Sequence, residues 1–307
     1  MLERKIVILI VLLLFISGCA AIQNLTDMSL FGKKDFVSGK GLTPEFLLKM
    51  PPLDKMPEGQ EFQVGIKVTN YGLSDAIGEI CVFDSLSSNY DGIPSKQNTC
   101  VGFNMDAAEK STVGSKIIPT SERFFFPGER SYYVYKNLIS DTKTKIESEI
   151  RYDYKTKFNS QICISKKEDD PCNSRVIGMD ESVKFAPLDI SSIKKDILPT
   201  PIGYDDVKLI LEIHIRNVGG GKIYNEYDSK KQFFDIDVVL ESGSSINCNP
   251  KKEGRFFLED NGEVIVTCDI TSSFSGEYID DPLEIVLSYP YKISQKTGEI
   301  LINHKED

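Results

Sequence analysis

Seven cysteines, two histidines and three Asp-Asp pairs are the residues of this 307-residue chain whose types and spacing could do chemistry. Zinc would need four nitrogen or sulfur ligands, but there is no Cys-x-x-Cys and only His214 and His304, so no zinc site is expected. Calcium takes oxygen ligands from loops, which makes Asp169-Asp170, Asp205-Asp206 and Asp280-Asp281 the places to look, since all three read as loop positions. Adjacent carboxylates seldom reach one ion, however, and no Asp-x-Asp-x-Asp-Gly loop is present, so no metal is expected there either. Glu259-Asp260-Asn261-Gly262-Glu263 reads as an Asn-Gly hairpin turn. His214, between Ile213 and Ile215 on an alternating stretch, faces solvent on a sheet, and His304 lies in the terminal tail. Without Gly-x-Ser-x-Gly, His-Glu-x-x-His or Gly-x-x-x-x-Gly-Lys, a hydrolase or nucleotide-binding enzyme has no visible parts. The expectation is no catalytic residue and no cofactor, with an enzyme the least favoured reading.

The cysteines carry a different message. The chain opens MLERKIVILIVLLLFISGC, a charged start and an apolar run from Ile6 to Ile16 that leads to Ser17, Gly18 and Cys19. Eleven apolar residues are too few for a bilayer, which needs about 20, while Ser17 and Gly18 are the small residues a signal peptidase accepts. The segment resembles bacterial and archaeal lipoprotein signals, which implies that residues 1–18 are removed and that the Cys19 thiol is lipidated, anchoring the chain to a membrane. The competing reading is an uncleaved anchor that continues through Ala20, Ala21 and Ile22. Both place the rest of the chain outside the cytoplasm.

Setting Cys19 aside turns an odd set of cysteines into an even one. Cys81, Cys100, Cys163, Cys172, Cys248 and Cys268 then read as three disulfides of an oxidising compartment. Among the connectivities open to six cysteines, pairing of neighbours closes each bridge locally: Cys81 with Cys100, Cys163 with Cys172, and Cys248 with Cys268.

Removal of residues 1–18 takes away Glu3, Arg4 and Lys5 and leaves 34 basic against 45 acidic residues, a net charge of −11 (34 − 45). An acidic surface without a basic stripe argues against a nucleic-acid partner, because phosphate binding draws on released counterions. Residues 19–41 are polar, carry Gly32, Gly39 and Gly41, and read as a tether. Asn24-Leu25-Thr26 within it is a candidate glycosylation site at Asn24.

Beyond the tether the hydrophobic period is two. Phe62, Val64, Ile66 and Val68 alternate with polar or small residues, as do Leu211, Ile213 and Ile215, and these stretches end alike in Asn70-Tyr71-Gly72 and Asn217-Val218-Gly219. Further echoes follow in order: Arg123-Phe124-Phe125-Phe126 with Arg255-Phe256-Phe257-Leu258, Ser131–Tyr135 with Glu263–Thr267, and Ile150-Arg151-Tyr152-Asp153-Tyr154 with Leu287-Ser288-Tyr289-Pro290-Tyr291. The expected fold is all-β: two tandem Ig-like antiparallel sandwiches over residues 42–187 and 188–307, with helical turns at most at 42–49 and 191–197. Alternating strands ending in Asn-x-Gly, the turn Phe126-Pro127-Gly128-Glu129 and the duplicated order resemble the Ig-like repeats of prokaryotic surface proteins of the CARDB type. That resemblance implies a sandwich of about seven strands used as a spacer or binding module. The insert from Asp84 to Ile118 departs from a minimal repeat.

Aligning Tyr132 and Val134 with Val264 and Val266 as core residues turns Tyr133 and Tyr135 to solvent, a candidate binding patch suited to a protein or glycan. The alternative is that these tyrosines pack beneath the insert. The chain is thus expected to act as a membrane-anchored, non-catalytic surface binding, adhesion or spacer module with a protein or cell-surface polymer as partner. The alternative is an accessory subunit of an envelope machine such as a pilus, secretion system or transporter.

Overall fold

A computed structural model describes residues 41–305, apart from 53, 87–89, 95–98, 112–116, 167–171, 173, 179–180, 199–205, 226–231 and 253. The signal segment 1–18, Cys19, Asn24 and the tether up to residue 40 lie outside the described residues, as do Asp169, Asp170 and Asp205.

The architecture is all-β. The first half holds β1 (Leu42–Phe46), β2 (Lys55–Pro57), β3 (Glu61–Phe62), β4 (Val64–Asn70), β5 (Ala76–Asp84), β6 (Cys100–Met105), β7 (Glu109–Lys110), β8 (Ile117–Ile118), β9 (Thr120–Phe126), β10 (Tyr133–Val134), β11 (Thr142–Thr144) and β12 (Ile146–Ser165). The second holds β13 (Leu188–Leu198), β14 (Asp206–Asn217), β15 (Lys222–Ile223), β16 (Phe233–Leu240), β17 (Gly243–Asn249), β18 (Phe256–Phe257), β19 (Glu263–Ser273), β20 (Tyr278–Lys296) and β21 (Ile300–Asn303). Residues 42–46 and 191–197, expected to form helical turns, lie instead in β1 and β13, because each strand finds a partner, β4 and β14, with a register shift between Ile190 and Ser192, while Leu48 and Lys49 form a turn. A 3-10 turn is found at Glu181–Phe185.

The described residues from Gly41 onward belong to one compact unit, in which the two repeats share a central sheet. The reason is the pairing of β12 with β20, antiparallel from Glu147 opposite Lys296 to Ser165 opposite Tyr278. This ribbon is the centre of a seven-stranded sheet whose main path runs β18-β16-β20-β12-β5-β6, with β15 also on β20. Smaller sheets, β1-β4-β9 and β13-β14-β19-β17, carry the remaining core strands of the two halves.

The internal repeat is real and takes the form of a two-fold relation. Tyr152 stands opposite Tyr291 and Tyr154 opposite Tyr289, so a rotation about the Asp153–Pro290 pair carries Tyr152 onto Tyr289 and Tyr154 onto Tyr291. Contacts follow the same rotation. The Tyr152 hydroxyl accepts the Leu42 N–H at 3.4 Å, and that of Tyr289 accepts the Leu188 N–H at 3.1 Å. Asn70 Oδ1 accepts from Gly72 N at 2.9 Å and its Nδ2 donates to Ser74 O at 3.0 Å. Asn217 does the same with Gly219 N at 3.2 Å and Gly221 O at 3.0 Å. Each Asn-x-Gly therefore closes its own turn with its side chain. The glycines serve close approach: a Cβ on Gly72 would sit 1.6 Å from the Tyr154 hydroxyl, and one on Gly219 would sit 2.3 Å from that of Tyr291.

One echo does not hold. Phe124 and Phe126 lie on β9 and pair with β4, whereas Phe256 and Phe257 lie on β18 and pair with β16 in the other sheet. The strand that takes the place of β9 in the second half is β19, paired with β14.

The close glycine–tyrosine packing gives a direct test. Gly72→Ala and Gly219→Ala each force a buried tyrosine to move, an overpacking cost of about 1–3 kcal/mol. Both should melt several degrees below the parent, while Gly298→Ala, whose Cβ meets nothing within 4 Å, should not. Thermal unfolding followed by circular dichroism measures this, and equal Tm values for all three would refute the packing argument.

Candidate functional site

Directly opposite residues in an antiparallel pair share a face, so Tyr152, Tyr154, Tyr289 and Tyr291 all lie on one side of the seven-stranded sheet. That side is the inner one, since the Tyr152 and Tyr289 hydroxyls meet the first residues of β1 and β13. The other face carries Ile77, Asp153, Lys155, Lys157, Asp235, Ser288 and Pro290, around the two-fold position. An open cleft of about 700 Å³ lies there, walled by Leu73, Ser74, Asp75 and Ala107 and completed by Arg255. Both repeats contribute to it.

Its charges are mixed and partly committed. Arg255 holds Asp235 through two bonds, at 2.9 and 3.2 Å. Asp75 accepts the Ala107 N–H at 2.8 Å, and the Ser74 hydroxyl donates to Lys155 O at 2.6 Å, which ties the wall to the floor. Asp153 and the Lys155 ammonium stand two residues apart on the same face, each exposed and without an ion pair to a described residue. Charges of both signs beside exposed Ile77 and half-buried Pro290 suit an extended polar segment better than an apolar small molecule. No histidine or cysteine lines the cleft among the described residues. The stretch Tyr152-Asp153-Tyr154-Lys155-Thr156-Lys157-Phe158, buried and exposed by turns, was the sequence signal for this surface.

The residues singled out from the sequence fare differently. All three cysteine pairs are bonded as neighbours: Cys81–Cys100, Cys163–Cys172 and Cys248–Cys268. Three disulfides indicate an oxidising, extracytoplasmic environment, and no helix of the described residues is long and apolar enough to cross a membrane. Tyr133 and Tyr135 are not a solvent-facing patch; both are buried, and Tyr132 is the exposed one. The parallel drawn with Val264 and Val266 fails because β10 resumes the ladder of β9 only after the excursion 127–132, which reverses the expected alternation. Tyr133 pairs with Phe62, and Tyr135 stacks on it at 5.1 Å between centroids. Residues of the Asp84–Ile118 insert cover them, with Gly92 N bonded to Val134 O and Lys136 N to Tyr90 O. The Tyr135 hydroxyl donates to Asp84 Oδ2 at 2.6 Å, and burial raises the Asp84 carboxyl above its usual range.

His214 is half-buried rather than solvent-facing, with its Nε2 enclosed on the outer face of the β13-β14-β19-β17 sheet. His304 is tied to the body through Glu58, at 2.8 Å from Nδ1 to the carboxylate. Asp280 and Asp281 lie on β20 rather than in a loop, and buried Asp281 accepts the Ser242 N–H at 2.9 Å. The Asn261-Gly262 turn forms, closed by Gly262 N to Glu259 O at 2.8 Å. It joins strands of different sheets, β18 and β19, and is not a hairpin.

No protein-family model matches the chain, and no curated protein matches it.

The buried tyrosines predict alkaline sensitivity. Desolvation raises the phenols of Tyr152, Tyr154 and Tyr289 and takes Tyr291 and Tyr133 from the ordinary 10.0 to about 12. A phenol that holds its proton more tightly when folded stabilises fully below the unfolded value. That stability is lost as pH rises from about 10 through the folded value. Phenolate absorbance and loss of β signal should therefore rise together above pH 10; ionisation of these tyrosines in a still-folded chain would contradict the burial.

Proposed function

We propose that this chain is a lipid-anchored, extracytoplasmic binding module without catalytic activity, and that the cleft across the repeat junction receives an extended polar segment of a protein or cell-surface polymer. The observation that carries this reading is the cleft itself, open, built from both repeats and lined by charges of both signs, among which Asp153 and Lys155 are exposed and form no ion pair to a described residue. A non-catalytic role fits side chains that offer contacts of charge, hydroxyl and apolar surface without a nucleophile beside a base. Lipidation at Cys19 would hold that cleft near the envelope surface, with residues 20–40 supplying reach. The CARDB-type resemblance agrees with a repeated sandwich that works by contact.

The second reading, an accessory subunit of an envelope machine, is favoured by the same mixed charge, because a protein segment offers complementary charges in fixed order.

Crosslinking pull-down from native membranes tests both, comparing the tagged chain with Cys19→Ser and with the charge-reversed pair Asp153→Lys and Lys155→Glu. Defined membrane proteins captured by the parent, lost with the lipid and lost with the reversed cleft support the accessory subunit. Retained binding of Cys19→Ser to cell surfaces, lost only on charge reversal, supports the adhesive module. Capture that is indifferent to the cleft charges overturns the assignment of the site.

A further inference from the structure

Sheet edges left open by a fold are normally blunted with charge, proline or a covering segment, because their free N–H and C=O groups template pairing with another chain. The β13-β14-β19-β17 sheet treats its two edges differently. On the β13 side, residues 175–177 lie along the strand, with Ile177 N bonded to Ile193 O and Lys195 N to Arg175 O. The β17 side pairs with β19 alone among the described residues, and Gly243-Ser244-Ser245-Ile246-Asn247-Cys248-Asn249 contains no charged residue and no proline.

The direction of the free backbone groups can be derived. Cys248 and Cys268 stand directly opposite each other with Cα atoms 4.0 Å apart, the close spacing of a non-hydrogen-bonded antiparallel pair. Ile246 opposite Ile270 is therefore the same kind of pair, while Ser245, Asn247 and Asn249 spend their backbone groups on β19. The N–H and C=O of Ile246 and Cys248 point away from the sheet. The Cys248–Cys268 bridge fastens this edge to its neighbour, so the groups are held in place before any partner arrives.

The geometry points to the β17 edge as a self-association surface, on which two copies of the chain pair β17 antiparallel about a two-fold axis at Asn247. In that register Ile246 of one copy faces Cys248 of the other, twice over, giving about four backbone hydrogen bonds. Asn247 faces Asn247 of the second copy, and an amide carries both donors and acceptors, so it complements its own image. Ser245 faces Asn249, again uncharged and able to hydrogen-bond. Ile246, 36% exposed at the open edge, gains cover.

A second copy is favoured over a foreign strand by charge. A chain of net charge −10 repels its own kind over most of its surface, and β17 is a seven-residue edge where neither copy brings a charge. The same neutrality gives a basic or acidic strand nothing to recognise. A two-fold contact is also closed, so it ends at a dimer.

Register-specific crosslinking in native membranes tests this on the full chain. Asn247→Cys places a thiol opposite its own copy and should yield a covalent dimer under mild oxidation. Ser245→Cys alone should not, because it faces Asn249, but mixing Ser245→Cys with Asn249→Cys should restore the dimer. Asn247→Lys, which sets two ammonium groups face to face, should abolish association in sedimentation while leaving the circular dichroism spectrum unchanged. Equal dimer from Asn247→Cys and Ser245→Cys, no dimer from any of them, or Asn247→Cys joined to a different protein would each overturn the proposal.

Discussion

Everything in this molecule hangs on the antiparallel ribbon of β12 and β20. A repeat made as a separate sandwich would bury its aromatic pair, Tyr152 and Tyr154 or Tyr289 and Tyr291, against its own strands alone. Here the pairs stand opposite each other along one ladder, edge-on or tilted, with centroids 5.8 Å apart for Tyr152–Tyr291 and 6.0 Å for Tyr154–Tyr289. A single hydrophobic cluster then runs through both halves. Once those four phenols are inside, their hydroxyls need partners, because an unsatisfied buried polar group costs about 1–3 kcal/mol. The first residues of β1 and β13 and the Asn217 turn supply several of them. The Asn-x-Gly motif is thus a strand end whose missing side chain makes room for a tyrosine from the central ribbon.

Much of this was legible. Period-two alternation gave the strands, the duplicated Asn-x-Gly and Tyr-x-Tyr elements gave the repeat, and cysteine parity gave the bridges. What failed did so for one physical reason. Aromatic runs such as Arg123–Phe126 and Arg255–Leu258 look alike because any half-buried strand wants such residues, while the pairing partner that distinguishes them is set at long range. That misalignment carried over to Tyr133 and Tyr135, since a strand's alternation depends on its register and a one-residue slip exchanges the faces. The fusion of the repeats was equally invisible, because β12 and β20 read as ordinary strands whether they pair with each other or not. The cleft was half visible. The alternating charges after Tyr152 mark an exposed strand face, but only the ribbon brings Ser288 and Pro290 beside them.

Fusion also decides where the open surfaces are. The small sheets supply the partners of the inner tyrosines, so the outer face is left to solvent at the two-fold position, where symmetry would place equivalent features on either side. Symmetry is broken by what each half adds. Near Lys292, β15 pairs onto β20, and Arg151 is engaged by Glu149 and Glu79. On the Lys155 side the β5 ladder begins only at Ile77 opposite Asp153, and the cleft remains. A duplicated element freed from repeating its partner's packing is the natural place for a contact surface to arise, because changes there leave the shared core intact.

Edges follow the same economy. Pairing β12 with β20 removes one edge from each repeat, and among the described residues β6 and β17 are terminal strands of the two largest sheets, each paired on one side. Both are uncharged, and both are fastened to their inner neighbour by a bridge between directly opposite cysteines, Cys81–Cys100 and Cys248–Cys268. A neutral edge strand without a charge to keep it apart is the element most prone to slip or to pair promiscuously. A covalent link at one fixed register prevents the slip without adding charge. The bridges therefore stabilise the chain and also set which backbone groups the molecule shows at its rims, so that pairing there is confined to partners that match that register.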